Sequence, residues 1–125
     1  MSDNINIIGN ILSDVKSQVG VEPTDKAFDK NIIPAINTVF MFLKRMGVGP
    51  VEGFAITTDG DEQWTDFMEN GPYLEGVKKY IALKVEMMFD PPTSSALAEA
   101  KKEVIRELEF SLHLESNDMA NSEEV

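Results

Sequence analysis

A chain of 125 residues with 42% hydrophobic and 26% charged residues suits one domain around one core, away from the disordered and membrane classes. Its net charge of −11 argues against a protein that holds nucleic acid or anionic lipid through phosphate contacts. Cysteine is absent, which excludes a disulfide framework, a thiolate nucleophile and a sulfur-ligated metal.

No apolar run approaches the roughly 18 residues that span a bilayer. The start MSDNINIIGN lacks the basic region of a signal peptide, so a soluble, unexported protein is expected. Residues 4–19 place Ile8, Ile11, Leu12, Val15 and Val19 at helical spacing, with Asp14, Lys16 and Gln18 off the stripe. Asn4 or Asp3 is the expected cap of this short helix, and Gly20 suits its C-terminal left-handed position.

Thr24 opens a second pattern after Pro23, with Asp29 as another candidate cap. Ile32, Ile36, Val39, Leu43 and Met46 form its stripe, widened by Phe28, Phe40 and Phe42, and so wide a face suggests a central helix. If the helix begins near Thr24, Pro34 removes a backbone bond inside it and predicts a kink or a two-part helix. Lys44 and Arg45 suit the carbonyl end, and Gly47 is a stop signal.

From Gly47 to Gly71 the helical period is lost. Phe54-Ala55-Ile56-Thr57-Thr58 reads as a short strand, Asp59-Gly60 as a turn and Gln63-Trp64 as the start of a return strand, so this stretch is either a long loop or a small β-hairpin. Thr65 or Asp66 then caps a single helical turn through Phe67 and Met68. Asp59, Asp61, Glu62, Asp66 and Glu69 crowd this segment. They read as solvated surface, since the spacing lacks the ligand set of an EF-hand. Trp64 reads first as a core anchor, with a ligand platform as the alternative.

The third pattern, PYLEGVKKYIALKVEMMF, carries Leu74, Val77, Ile81, Val85 and Met88 on its stripe, with Tyr73, Tyr80 and Met87 beside it. Lys84 falls inside the apolar arc. Either its stem packs while the amine reaches water, or it has a carboxylate partner, on its own or on another subunit. Asp90-Pro91-Pro92 must end this helix near Phe89, because the prolines lack donors and push Asp90 out of the α region. Thr93, Ser94 and Ser95 offer hydroxyls to restart a helix at once.

The fourth pattern puts Leu97, Ala100, Val104, Leu108 and Leu112 on one face, with Ile105 at its edge. Phe110 lies on the opposite side with Glu99, Glu103 and Arg106; it is an exposed aromatic of the ordinary kind or a contact with a neighbouring chain. His113 stands where it can meet a helix C-terminus and reads as structural or incidental. Residues 1–115 thus form a helical domain, and residues 116–125 read as a flexible acidic tail. The expected fold is mainly α, a four-helix bundle-like subunit.

The chemistry of an enzyme is missing. No serine sits in a nucleophile elbow, and Gly47-Val48-Gly49-Pro50 matches neither the P-loop nor the dinucleotide fingerprint. Abundant carboxylates in an acidic chain single out no catalytic pair. No catalytic residue, cofactor or metal site is assigned.

Four stretches carry a resemblance: VFMFLKRMGVGPVEGF, QWTDF, VKKYIALKVEMMFDPPTSSALAEA and ELEFSL. In this order they resemble the small head-tail connector, or adaptor, proteins of tailed bacteriophages, with Tyr80 to Ser95 the most specific piece. The resemblance implies a structural virion protein of the neck, assembled as a ring of about twelve copies under the portal. Such a ring joins the portal to the next neck or tail component. It leaves a channel through which the genome passes during ejection without specific binding. Membrane association is not expected, and the protein would occupy the host cytoplasm only during assembly.

Candidate subunit or portal contacts are Lys84, Phe89, Asp90, Pro91, Pro92, Phe110 and Trp64. Candidate tail contacts are Glu115, Asp118, Glu123 and Glu124. The alternative reading is a small acidic regulatory or inhibitory protein that binds one cellular partner.

Overall fold

Two prolines divide the longest helical stretch as the sequence requires. In the computed structural model, which describes residues 9–124 and the side chains of 9–119, helix α4 runs Pro72–Phe89 and helix α5 runs Ser95–Glu124. Before them come α1 (Ile11–Gln18), α2 (Asp29–Arg45) and the single turn α3 (Trp64–Phe67). Pro72 occupies the first turn of α4, where its missing N–H costs nothing. Ser94 caps α5, its Oγ accepting from Leu97 N–H at 3.2 Å. No helix among the described residues is long and apolar enough to cross a membrane.

The ends of α1 and α2 follow one rule. In each, the glycine after the last turn takes positive φ, 85° at Gly20 and 79° at Gly47. The next residue then turns inward: Val21 N–H reaches Lys16 O at 2.8 Å, and Val48 N–H reaches Leu43 O at 2.9 Å. This closes the last carbonyls and buries both valines.

The starts of these helices depart from expectation. Asn10, not Asn4 or Asp3, caps α1, its side chain accepting from Ser13 N–H at 2.8 Å. Asp3, Asn4 and Ile8 lie outside the described residues. Thr24 does not open α2, because Asp25 closes a local turn by accepting from Ala27 N–H. With the helix beginning at Asp29, Pro34 sits in its second turn and α2 stays continuous rather than splitting in two.

Helix α4 is central, not α2. It packs most extensively on α2 and α5 and also on α1, and buries Leu74, Val77, Tyr80, Ile81, Ala82, Leu83 and Val85. Seven inward residues in 18 reflect contact on several sides, which broadens the buried arc beyond the stripe.

The α2–α3 connection remains a loop. Among the described residues there is no strand, only an isolated bridge between Asn10 and Gln63. Phe54–Thr58 finds its backbone partners elsewhere: Asn37 of α2 accepts from Ile56 N–H at 2.8 Å and donates to Ile56 O at 3.0 Å. One amide side chain thus replaces a partner strand. Phe54 and Phe67 then close on Phe40, with ring centroids 4.8 to 5.3 Å apart. Gly49 passes so near the Phe67 ring that a Cβ would stand 2.4 Å from it.

Asn37→Ala should therefore cost about 1–3 kcal/mol, because it strands both Ile56 backbone groups. Hydrogen exchange of the Ile56 amide should accelerate with it; an unchanged rate would show that the clamp is incidental.

Helix α5 differs in face and in length. Ile105 and Leu112 are its buried residues, while Leu97 and Val104, expected inside, are half exposed. The apolar arc is wide enough for two orientations, and contact with α4 selects the edge holding Ile105. The helix also continues past Leu114, so residues 116–124 are helical rather than an irregular extension.

Candidate assembly surfaces

Trp64 lies inside the body, only 2% exposed. Its Nε1–H donates to Asp14 Oδ2 at 2.7 Å, and Lys78 Nζ stands 5.6 Å from the ring centroid. Asp66 supports the turn by accepting from Gln63 N–H at 2.8 Å. Trp64 is therefore a core anchor joining α1, α3 and α4.

Lys16 is the polar residue that sequence periodicity misplaced. Expected on the solvent side of α1, it is 1% exposed. Its Nζ donates to Pro23 O at 3.0 Å and meets Asp29 Oδ1 at 2.8 Å. The contact is an ion pair rather than an aligned hydrogen bond, since Asp29 Oδ1 is buried without an aligned donor. It ties α1 to the first residue of α2, which explains why Asp29 caps nothing.

Of the two readings of Lys84, the structure supplies the carboxylate partner, and it is on the same chain. Glu109 of α5 lies 3.7 Å from Lys84 Nζ, and the amine sits 4.9 Å from the centroid of Phe42 on α2. Glu109 also accepts from the hydroxyl of Tyr80 at 2.9 Å. Lys84 thus links three helices through charge and ring. Burial, reinforced by the Glu109 bond and charge, pushes the fully buried Tyr80 phenol well above the ordinary tyrosine range.

Because that pKa is raised on folding, its stabilising effect is complete below the unfolded tyrosine value of 10.0 and disappears as pH climbs through the higher folded value. Tyr80→Phe should cost about 1–2 kcal/mol at neutral pH and flatten the alkaline fall in stability. Urea melts at several pH values check both; parallel alkaline curves for the two proteins would count against the assignment.

Phe89 makes an edge contact with Phe28, centroids 5.5 Å apart, beside the Asp90-Pro91-Pro92 elbow. Asp90 is exposed, and its N–H still closes α4 on Glu86 O at 2.8 Å. Pro91 is exposed and Pro92 half-buried. Across the elbow, Lys101 of α5 and Glu86 of α4 pair at 2.6 Å. The exposed side chains of Phe28, Met88 and Leu97 leave this end of the molecule partly apolar.

Phe110 is 61% exposed, about 22 Å along α5 from its start, so it belongs to a different surface from the elbow. It borders a shallow depression with Glu103, Arg106 and Glu107. Leu114, one turn on, is also exposed.

His113 meets a helix C-terminus, that of α2 rather than its own: Nδ1 lies 3.1 Å from Met46 O. Ser116 Oγ donates to Gly47 O at 2.6 Å. Glu115 and Asp118 are exposed, and Glu123 and Glu124 have side chains outside the described residues. Burial, and to a lesser degree the charge of Glu115, raise the Tyr73 phenol above the ordinary tyrosine range. The interface candidates therefore do not converge on one site: Trp64 and Lys84 hold helices together, the elbow forms one end, and Phe110 marks the outer face of α5.

The profile of the family described as phage connector protein matches residues 11–119. No curated protein and no solved structure matches the chain. The matched span contains α1 through α4, the Phe89–Pro92 elbow and the outward face of α5 with Phe110. A helical body that leaves large apolar side chains exposed at the elbow, on α2 at Met41 and on α5 at Phe110 is in keeping with that match. The chain belongs to the phage connector protein family.

Proposed function

We propose that this protein is a structural component of the phage neck, assembling as a ring that joins the portal to the next neck or tail component and leaves a channel for DNA. Family membership over residues 11–119 is the observation that carries the reading. Exposed Met41, Leu97, Phe110 and Leu114 support it, because a subunit that works by assembly leaves apolar side chains for its neighbours. The −11 charge suits a conduit, since acidic walls repel phosphates and let the genome pass without sticking.

In this reading the Asp90-Pro91-Pro92 elbow is a rigid corner that sets the angle of α5. The far end of α5, with Glu115 and Asp118 exposed, is a candidate contact for an adjoining ring. A density map of the intact neck tests the proposal: identical copies of this chain in a ring at the capsid exit are expected. Recovery of the chain only as free protein in infected cells would overturn it.

A further inference from the structure

The outer face of α2 carries exposed cations beside a groove, and the outer face of α5 carries an exposed aromatic ring. Along α2, Lys30, Met41, Lys44 and Arg45 are exposed, and Met41 is 55% accessible. Among the described residues none of these three cations has a carboxylate at ion-pair distance; of the other eight bases, six are paired and only Lys26 and Lys79 are not. In a chain with twice as many acids as bases, a helix face with several unpaired cations and no acid is unusual.

Beside that face, between α2 and the following loop, lies an open groove of about 370 Å³ lined by Phe40, Met41, Lys44, Glu52, Phe54 and Ala55. Its floor is the edge of the aromatic cluster, and Glu52 is its single acid. On α5, Phe110 projects beside Glu103, Arg106 and Glu107; Arg106 pairs with Glu103 at 2.7 Å, which leaves Glu107 without a cation among the described residues.

At 100° per residue Phe110 stands about 160° from Leu112 and about 140° from Ile105, the residues that seat α5 on the body. Its own chain therefore cannot bring it to the groove.

We propose that Phe110 of one copy inserts into the α2–loop groove of the next, with Lys44 and Arg45 facing Glu103 and Glu107 across the contact. The occupant is a second copy because this one sequence carries both halves: an exposed aromatic knob beside the unpaired Glu107, and an aromatic-floored groove under a helix face that carries the unpaired Lys44 and Arg45. Knob and groove lie on different helices, so the contact is head-to-tail and propagates, closing when the rotation per copy divides a full turn. The inference rests on the ring-forming connector reading and names the surfaces that meet.

The test uses the full chain, with self-association read by sedimentation velocity over a concentration series and incorporation read as copies per purified particle. Phe110→Ala and Ala55→Trp, which respectively remove the knob and fill the groove at exposed positions, should each weaken assembly at least about tenfold. Neither should move the thermal midpoint. Lys44→Glu should also weaken assembly, and adding Glu107→Lys to the same chain should restore it, because the reversed charges meet between copies.

Normal assembly of either aromatic variant, or no recovery in the charge-swapped chain, overturns this contact; a ring in the neck would then leave the connector reading standing. A wild-type chain that is absent from particles and monomeric at every concentration removes both.

Discussion

Trp64→Ala is expected to lower stability by about 4 kcal/mol and the melting temperature by ~15 °C. Three losses combine. The indole is 2% exposed and fills the junction of α1, α3 and α4, so its removal leaves a cavity that short helices cannot easily close. Asp14 loses the Nε1–H donor at 2.7 Å, and Lys78 loses the ring beneath it.

Trp64→Phe separates these effects, since it keeps an aromatic ring and deletes the hydrogen bond; a cost of about 1–2 kcal/mol is expected. Circular dichroism melts measure both variants. If the alanine variant loses no more than the phenylalanine variant, Trp64 is not the anchor described. Since native domains hold about 5–15 kcal/mol in total, a loss of about 4 kcal/mol removes roughly a quarter or more of the stability.

Lys16→Ala should cost about 3 kcal/mol, the second large effect, because it leaves Asp29 and the Pro23 carbonyl without their cation. Asp29 is 20% exposed and recovers some hydration, which keeps the cost below that of a fully buried broken pair. Lys16→Met should lose less than Lys16→Ala, because the stem continues to fill its channel between α1 and α2.

A double-mutant cycle with Asp29→Ala should give a coupling of about 1–2 kcal/mol. A coupling near zero would mean that the amine works through Pro23 O alone. The absence of an aligned hydrogen bond to Asp29 Oδ1 makes that a real contest between two partners.

Local signals placed most helix ends within a residue or two. Pro72, Asp90-Pro91-Pro92, Gly20 and Gly47 act through backbone geometry alone, so the chain had to start or stop there whatever surrounded it. The surfaces were less legible. On α5 one wide apolar arc admits two seatings, and only the position of α4 selects Ile105 and Leu112 over Leu97 and Val104. On α1 the period marked Lys16 as polar, which is correct for its amine and wrong for its location.

The loop from residue 46 to 63 misled for a related reason. Alternation in Phe54–Thr58 reflects one side packing inward, and a strand needs a partner strand that the local residues do not specify. Asn37, 19 positions earlier, provides the pairing instead.

The resemblance carried by the Tyr80–Ser95 segment, the all-helical class and the exposure of Phe110 follow from the amino acids in order, because each rests on composition, on backbone restrictions or on a single helix's period. The tertiary structure alone decided that α4 is central, that Lys84 and Tyr80 share Glu109, and that a groove stands beside Met41. Those depend on which helices touch, a matter of contacts between residues far apart in the chain, whose energies no local window contains.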